Sequence, residues 1–232
     1  MTTDPAIAEL RRRVNAVCED ELAAFHHVPF AGHLSDPSAP LHGPYYIRHR
    51  IETVHRIRLT SRLDALALAA IVAEDYESAR GWSRYLTDEL HHDQLFLDDL
   101  AAMGCSSADA LKTPPFASTV AMVDELIGAI DRVGGLAAVA YSLFVEWNSE
   151  RGSAATVDRA EAHYGARAVV GARRHLGIDT DADHYELILG IAASLLAGRD
   201  VALLEGLLRR VGAHLRAYFC ELHAATVMRQ AA

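Results

Sequence analysis

Hydrophobic positions recur along this chain at three- and four-residue intervals, and strict alternation is almost absent, so the pattern predicts an all-α protein. Ile7, Leu10, Val14, Val17 and Leu22 form one stripe and set a first helix over about 5–27. Pro29, Pro37, Pro40 and Pro44 then oppose helix, because proline lacks the amide donor and clashes with the preceding turn. A long second helix follows over about 45–73, with Ile47, Ile51, Val54, Leu59, Leu63 and Leu66 turned inward. The stretch WSRYLTDELHHDQLFLDDLAAMG, 82–104, reads as one helix, with Leu86, Leu90, Leu97 and Leu100 at helical spacing and Gly104 as its stop. Pro114 and Pro115 place a loop over 105–115. Helices over 116–133 and 136–150 are separated by Gly134 and Gly135, and the second is apolar over most of its surface, which predicts a central position. Arg151, Gly152 and Ser153 predict a loosening, followed by a polar amphipathic segment to about 175. Gly177 then interrupts, Asp179 or Thr180 caps a helix over 181–196, and Gly198 and Asp200 precede a last helix reaching about 227. No internal repeat or linker-like break divides the succession, so 1–232 reads as a single domain, a bundle of about seven to nine helices.

Composition agrees with a packed core: 51% of the 232 residues are hydrophobic and 23% charged. The absence of an 18-residue apolar run and of a signal-peptide pattern reads as a soluble, cytoplasmic protein. A formal net charge of −9 disfavours nucleic acid and anionic membrane as partners, since each needs a basic face, and places no restriction on a small-molecule substrate. A homodimer is the default for symmetric association. Cys18, Cys105 and Cys220 form no metal-ligand or redox spacing and read as small hydrophobes or idle thiols. Lys112 is the only lysine, which argues against Schiff-base chemistry.

The candidate chemistry lies in acids and histidines spaced one helical turn apart. Glu89 and His92 leave one face of their helix and can hold one metal ion together. Asp88 and His91 repeat the spacing on a rotated face, and only one of these pairs can face the core. Glu52 with His55 and Asp181 with His184 share the spacing on other helices. Glu146 stands in the apolar helix, where a carboxylate needs either a metal ion or an arginine. Helical bundles build dinuclear carboxylate sites from this supply, because carboxylates bridge and neutralise two irons about 3.5–4 Å apart while neutral imidazoles fill terminal positions. Glu52 reads as solvent-facing and His55 as core-lining, with a place near the metal as the alternative. His26 and His27 complement the C-terminal dipole of the first helix, and Asp98 and Asp99 read as partners of arginines.

The string RYLTDELHHDQLFLDDLAAMG resembles the iron-binding helix of the heme-oxygenase-like diiron oxidases, also called iron-containing redox enzymes, matched here by Glu89, His92, Asp99, Leu100 and Gly104. AYSLFVEWNSERGS is similar to that family's helix with a single ligand glutamate, matched by Glu146. HLGIDTDADHYELILGIAASLL is similar to its third ligand helix, and FHHVPFAGHLSD to its N-terminal part. The resemblance implies a heme-oxygenase-like bundle in which Glu89, His92, Glu146, Asp181 and His184, together with His175, hold two non-heme Fe(II) ions. It implies O2 as co-substrate and oxidation of a small organic molecule (amino-acid-like, fatty-acid-like or amine), in specialised metabolism, with Tyr85, Tyr141 and Trp147 around the centre. The family pattern on the third helix is His-x-x-x-Asp-x-x-His. In this chain Gly177 stands four before Asp181, and His175 is two residues earlier. Either a bulge restores His175 or one ligand is missing. Two other classes stay open: a metal-free member of the same superfamily, resembling thiamin-degrading hydrolases or cofactorless oxidases, and a non-catalytic binding protein. A ferritin-like bundle drawing also on Glu52 would share the diiron chemistry.

Overall fold

The computed structural model describes residues 5–230, with the side chains at 179–182 and 230 outside that description. The stripe of Leu10, Val14 and Val17 becomes the buried face of α1 (Pro5–Phe25). Pro44 falls in the first turn of α2 (Gly43–Glu74), where its missing amide costs nothing, and the His42 ring caps the helix by accepting from the Tyr45 amide at 3.2 Å. Asp75 caps α3 (Tyr76–Glu89) by accepting from the Glu77 amide at 3.1 Å.

The single helix expected over 82–104 is corrected here, because the chain turns at Leu90 and His91 before α4 (His92–Ala102) begins. Leu90, counted as inward by its spacing, is 50% exposed. The expected loop after Gly104 contains the short helix α5 (Ser107–Lys112), capped by the Ser106 hydroxyl accepting from the Asp109 amide. Helix α6 (Ala117–Val133) follows. Gly134, at φ 68°, turns the chain against Glu74, where a Cβ atom would overlap the carboxylate.

Helix α7 (Leu136–Tyr164) passes through residues 151–153 unbroken. The expected loosening there is overruled because the Arg151 side chain donates to the Trp147 carbonyl, and Val157 and Ala160 extend the buried stripe. A short 3-10 turn (Ala166–Val169) leads into α8 (Val170–Ala182), then α9 (His184–Leu195) and α10 (Ala202–Thr226). Gly177 lies inside α8 and does not stop it. The break falls instead at Asp183, whose φ 49° and ψ 51° are left-handed.

Helices α2 and α7, of 32 and 29 residues, are the frame. Helix α2 packs against α3, α4, α6, α7 and α10, while α7 packs against α6, α9 and α10, and α1 lies on α10. Residues 136–144 are all buried, so the apolar first half of α7 is central, as its sequence predicts. Among the described residues there is no strand, and no helix is long and apolar enough to cross a membrane. The fold class is all-α and the architecture a single-domain helical bundle.

Candidate metal centre

Two apolar clusters divide the bundle, and both unexpected breaks fall at their junction. Helix α3 gives Trp82 and Tyr85 to the larger cluster, whereas α4 gives Phe96, Leu97 and Leu100 to the smaller. Helix α8 gives Ala172 to the smaller, whereas α9 gives Tyr185, Ile188 and Leu189 to the larger. The polar side chains that end α3 and begin α4 and α9 therefore collect between two dry cores. Glu89, His92 and His175 form one group there, and Glu89, Glu146 and His184 form a second. Within each group, one ligand-type atom from each residue lies within 4.8 Å of the others. Glu89 belongs to both groups.

The hydrogen bonding fits a cation. His92 is 1% exposed, yet neither ring nitrogen makes a hydrogen bond, and its Nδ1 faces Glu89 Oε1 at 3.2 Å. Glu89 Oε1 is itself buried without a hydrogen-bond partner. Leaving such atoms unsatisfied costs about 1–3 kcal/mol each, and a metal ion would satisfy imidazole and carboxylate together. On the other side, Tyr85 donates to Glu146 Oε1 at 3.0 Å, both residues being buried. Burial, reinforced by Glu89, Glu146 and Asp64, holds the Tyr85 phenol well above its ordinary pKa, so it stays a donor. His184 is 1% exposed, with Nδ1 4.0 Å from Glu146 Oε1, Nε2 3.5 Å from Asp88 Oδ2, and its ring edge-on to Tyr85. The His92 and His175 rings lie 4.3 Å apart.

The position of His175 depends on how α8 docks against α4. Asp99, buried on α4, accepts from the amides of Gly171 at 2.7 Å and Ala172 at 2.8 Å, capping the start of α8. Asp99, expected to partner arginines, spends both carboxylate oxygens on this cap, while Arg50 acts on it through its charge. Gly171 touches α4 so closely that a Cβ there would stand 2.1 Å from the Leu95 carbonyl oxygen. His175 follows Gly171 by one turn, and His92 precedes Leu95 by just under one, so this contact sets the two histidines face to face.

Of the residues singled out from the sequence, Glu89, His92, Glu146, His175 and His184 converge, while the side chain of Asp181 lies outside the described residues. His91 is exposed. Glu52, expected to face solvent, is instead fully buried: it pairs with Arg48 at 2.8 Å and accepts from the Phe116 amide at 3.0 Å. His55 meets the Thr113 carbonyl at 2.6 Å, so both residues of that pair anchor the chain entering α6. Trp147, expected near the centre, donates to Asn15 on α1. Asp64 was not anticipated. It is 5% exposed on α2, its Oδ1 has no hydrogen-bond partner, and burial, with Glu89 adding to it, pushes its carboxyl up to about 8. An aspartate between Leu63 and Ala67, both fully buried, carries the signal that marked Glu146.

No protein-family model matches the chain, and no curated protein matches it. Among solved structures, the chain is similar to a domain of unknown function with a heme oxygenase-like fold from Shewanella denitrificans, at TM-score 0.75 and 16% identity over 99% of this chain and 96% of that one. It is also similar to a TenA homologue from P. horikoshii, at TM-score 0.58 and 15% identity over 94% and 97% of the two chains. At these identities the likeness concerns the fold alone, and it is specific on that point: this chain has the heme oxygenase-like fold.

Proposed function

We propose that this protein is a non-heme diiron oxidase or oxygenase that uses O2 to oxidise a small organic substrate, amino-acid-like, fatty-acid-like or amine. The observation that carries the reading is Glu89, itself partly buried, shared between two ligand groups whose other members are buried except for the partly buried His175, because one carboxylate common to two triads is what a dinuclear centre requires. His92 and His175 would serve one ion, Glu146 and His184 the other, with Asp181 as a further ligand from the sequence pattern. Bound Fe(II) would supply the electrons that dioxygen needs. The protein's own part is visible in the residues around it. Tyr85 fixes the orientation of Glu146 and the apolar clusters on both sides exclude water, while in the metal-free protein burial and the charge of Glu89 favour the neutral form of the Asp64 carboxyl. A cytoplasmic homodimer belongs to the same reading.

The likeness to a TenA homologue favours a second reading, a metal-free member of the superfamily. The thiols lend it little, since none of the three joins the cluster and burial pushes the Cys18 thiol up to about 12. Anaerobic addition of Fe(II), counting of iron per chain, and exposure to oxygen with a visible spectrum and oxygen-uptake trace decide between them. The diiron reading expects about two irons per chain and oxygen consumption. Retention of no iron would transfer the assignment to metal-free chemistry or binding.

A further inference from the structure

Asp88 and His91 repeat the spacing of Glu89 and His92, and the structure sends the two in different directions. His91 is exposed, whereas the Asp88 carboxylate turns back to the His184 ring, with Oδ2 3.5 Å from Nε2. Among the described residues Glu89 joins both ligand groups and Asp88 joins neither. A carboxylate that meets a ligand histidine without entering its group is placed to act through that histidine.

The local structure directs this contact. Tyr85 and Asp88 are three residues apart on α3, so they leave one face and reach the same ring, Tyr85 edge-on at 5.2 Å between centroids and Asp88 at Nε2. Gly81, one turn before Tyr85, lets α3 lie close against α9, since a Cβ there would stand 3.2 Å from Leu187 Cδ1 and 3.3 Å from Ile191 Cδ1. His184 opens α9 directly after the left-handed Asp183, which brings its ring to the end of α3. The Asp88 carbonyl accepts from the His91 amide at 3.3 Å and so helps to close the turn after α3. Its backbone is thereby held, while the side chain, 48% exposed, can rotate to shorten the contact.

A neutral imidazole carries one N–H and one lone pair, and an ionised carboxylate can only accept. Asp88 therefore draws the N–H to Nε2 and leaves the lone pair on Nδ1. Nδ1 is the nitrogen that faces Glu146, 4.0 Å from its Oε1, and Glu146 belongs to the ligand group. A carboxylate behind a ligand histidine also limits the rotation of the ring and makes it a stronger base.

We propose that Asp88 is a positioning residue for the ion held by Glu146 and His184: by accepting from Nε2–H it fixes the His184 tautomer that turns Nδ1 to the metal. The proposal rests on the diiron reading above. It assigns Asp88 no contact with metal or substrate, and it concerns one of the two ions only.

Anaerobic titration of the metal-free protein with Co(II), followed by its visible bands, tests this together with proton NMR of the Co(II)-loaded protein in H2O and D2O. Thermal melting of metal-free samples checks folding. Wild type should take about two ions per chain and show a shifted, solvent-exchangeable imidazole N–H that disappears in His184→Ala. Asp88→Ala should weaken one ion about ten- to a hundredfold, leave the other unchanged and lose that resonance to exchange with water, while melting as wild type does. Asp88→Asn, whose amide oxygen still accepts, should fall between. In a His184→Ala background, Asp88→Ala should weaken binding no further. Equal Co(II) affinities and an unmoved resonance in wild type and Asp88→Ala overturn the proposal and leave the diiron reading standing. A loss in Asp88→Asn as large as in Asp88→Ala overturns it by placing Asp88 among the ligands, and a further loss in the double variant overturns it as well. If Asp88→Ala fails to fold, Asp88→Asn decides alone, an unchanged affinity sinking the proposal. Wild type that takes up no Co(II) sinks the proposal and the diiron reading together.

Discussion

The two halves of the candidate centre are built differently. The Glu146–His184 half joins α7, an unbroken helix packed against α6, α9 and α10, to the first residue of α9, and its members are 4% and 1% exposed. The His92–His175 half depends on α8 being held to α4 by one carboxylate and one glycine contact, and His175 is only partly buried. One half is set by the framework of the bundle, and the other by a docking event. They meet only through Glu89. Replacing Glu89 by Ala is therefore expected to remove both irons, taking the count per chain from about two to near zero. His175→Ala and Glu146→Ala should each leave about one. Equal losses in all three variants would show that the halves do not load separately.

The docking itself offers the next largest effect. At Gly171 an added Cβ meets backbone rather than a flexible side chain, so α8 must move and Asp99 must give up its two amide donors. Gly171→Ala is expected to lower stability by about 1–3 kcal/mol and to remove the iron held by His175 while sparing the other. Gly177, in the same helix, is exposed with nothing within 4 Å of its absent Cβ. Gly177→Ala should raise the melting temperature slightly, by the roughly 0.5–1 kcal/mol that alanine gains over glycine in a helix, and leave two irons bound. Iron counting and thermal melting of the two variants side by side separate docking from helix propensity.

The same contrast explains what the sequence could and could not disclose. Glu89 and His92 are legible because three residues of helix put them on one face, and Glu146 because its carboxylate stands alone in an apolar run. His175 and His184 are nine residues apart. An unbroken helix would hold them about 13.5 Å apart on opposite faces. Both reach Glu89 only because Asp183 adopts a left-handed conformation between α8 and α9. An aspartate in that region leaves little trace in a sequence, whereas Gly177 and Gly152, which looked like breaks, sit in continuous helix. Leu90 misled in the opposite sense, its leucine spacing concealing a turn. The acids of α2 show the remaining limit: Glu52 and Asp64 both face inward, but which of them lies near Glu89 depends on how α3 crosses α2, and no local pattern records that.

Asp183 gives a smaller, graded test of the joint between the halves. Asp183→Gly should be tolerated, since glycine enters the left-handed region freely. Asp183→Val should cost about 1–2 kcal/mol and loosen the placement of His184, reducing iron to between one and two per chain. Identical iron affinity in the two variants would show that the break is held by packing on either side rather than by residue 183.

The least effect on iron count is expected at Asp64, which lies beside the shared Glu89 and so concerns both halves alike. Its folded-state carboxyl is raised to about 8 by burial and by Glu89, from an ordinary value near 4 in the unfolded chain. The folded protein thus favours the neutral acid. The stability this contributes is fully present below about pH 4 and is lost as pH rises towards 8, because over that window the folded state binds the extra proton. Metal-free protein should lose stability from pH 5 to pH 8 with a slope of at most about 1.4 kcal/mol per pH unit from this group. Asp64→Asn keeps the shape without the titration and should flatten the slope, and a cation beside Glu89 should flatten it in wild type by favouring the ionised acid. Urea unfolding at pH 5, 6, 7 and 8 reads all three. If metal-free wild type and Asp64→Asn fall in parallel, the proton resides elsewhere in the cluster, and Glu89 itself becomes the group to replace with glutamine.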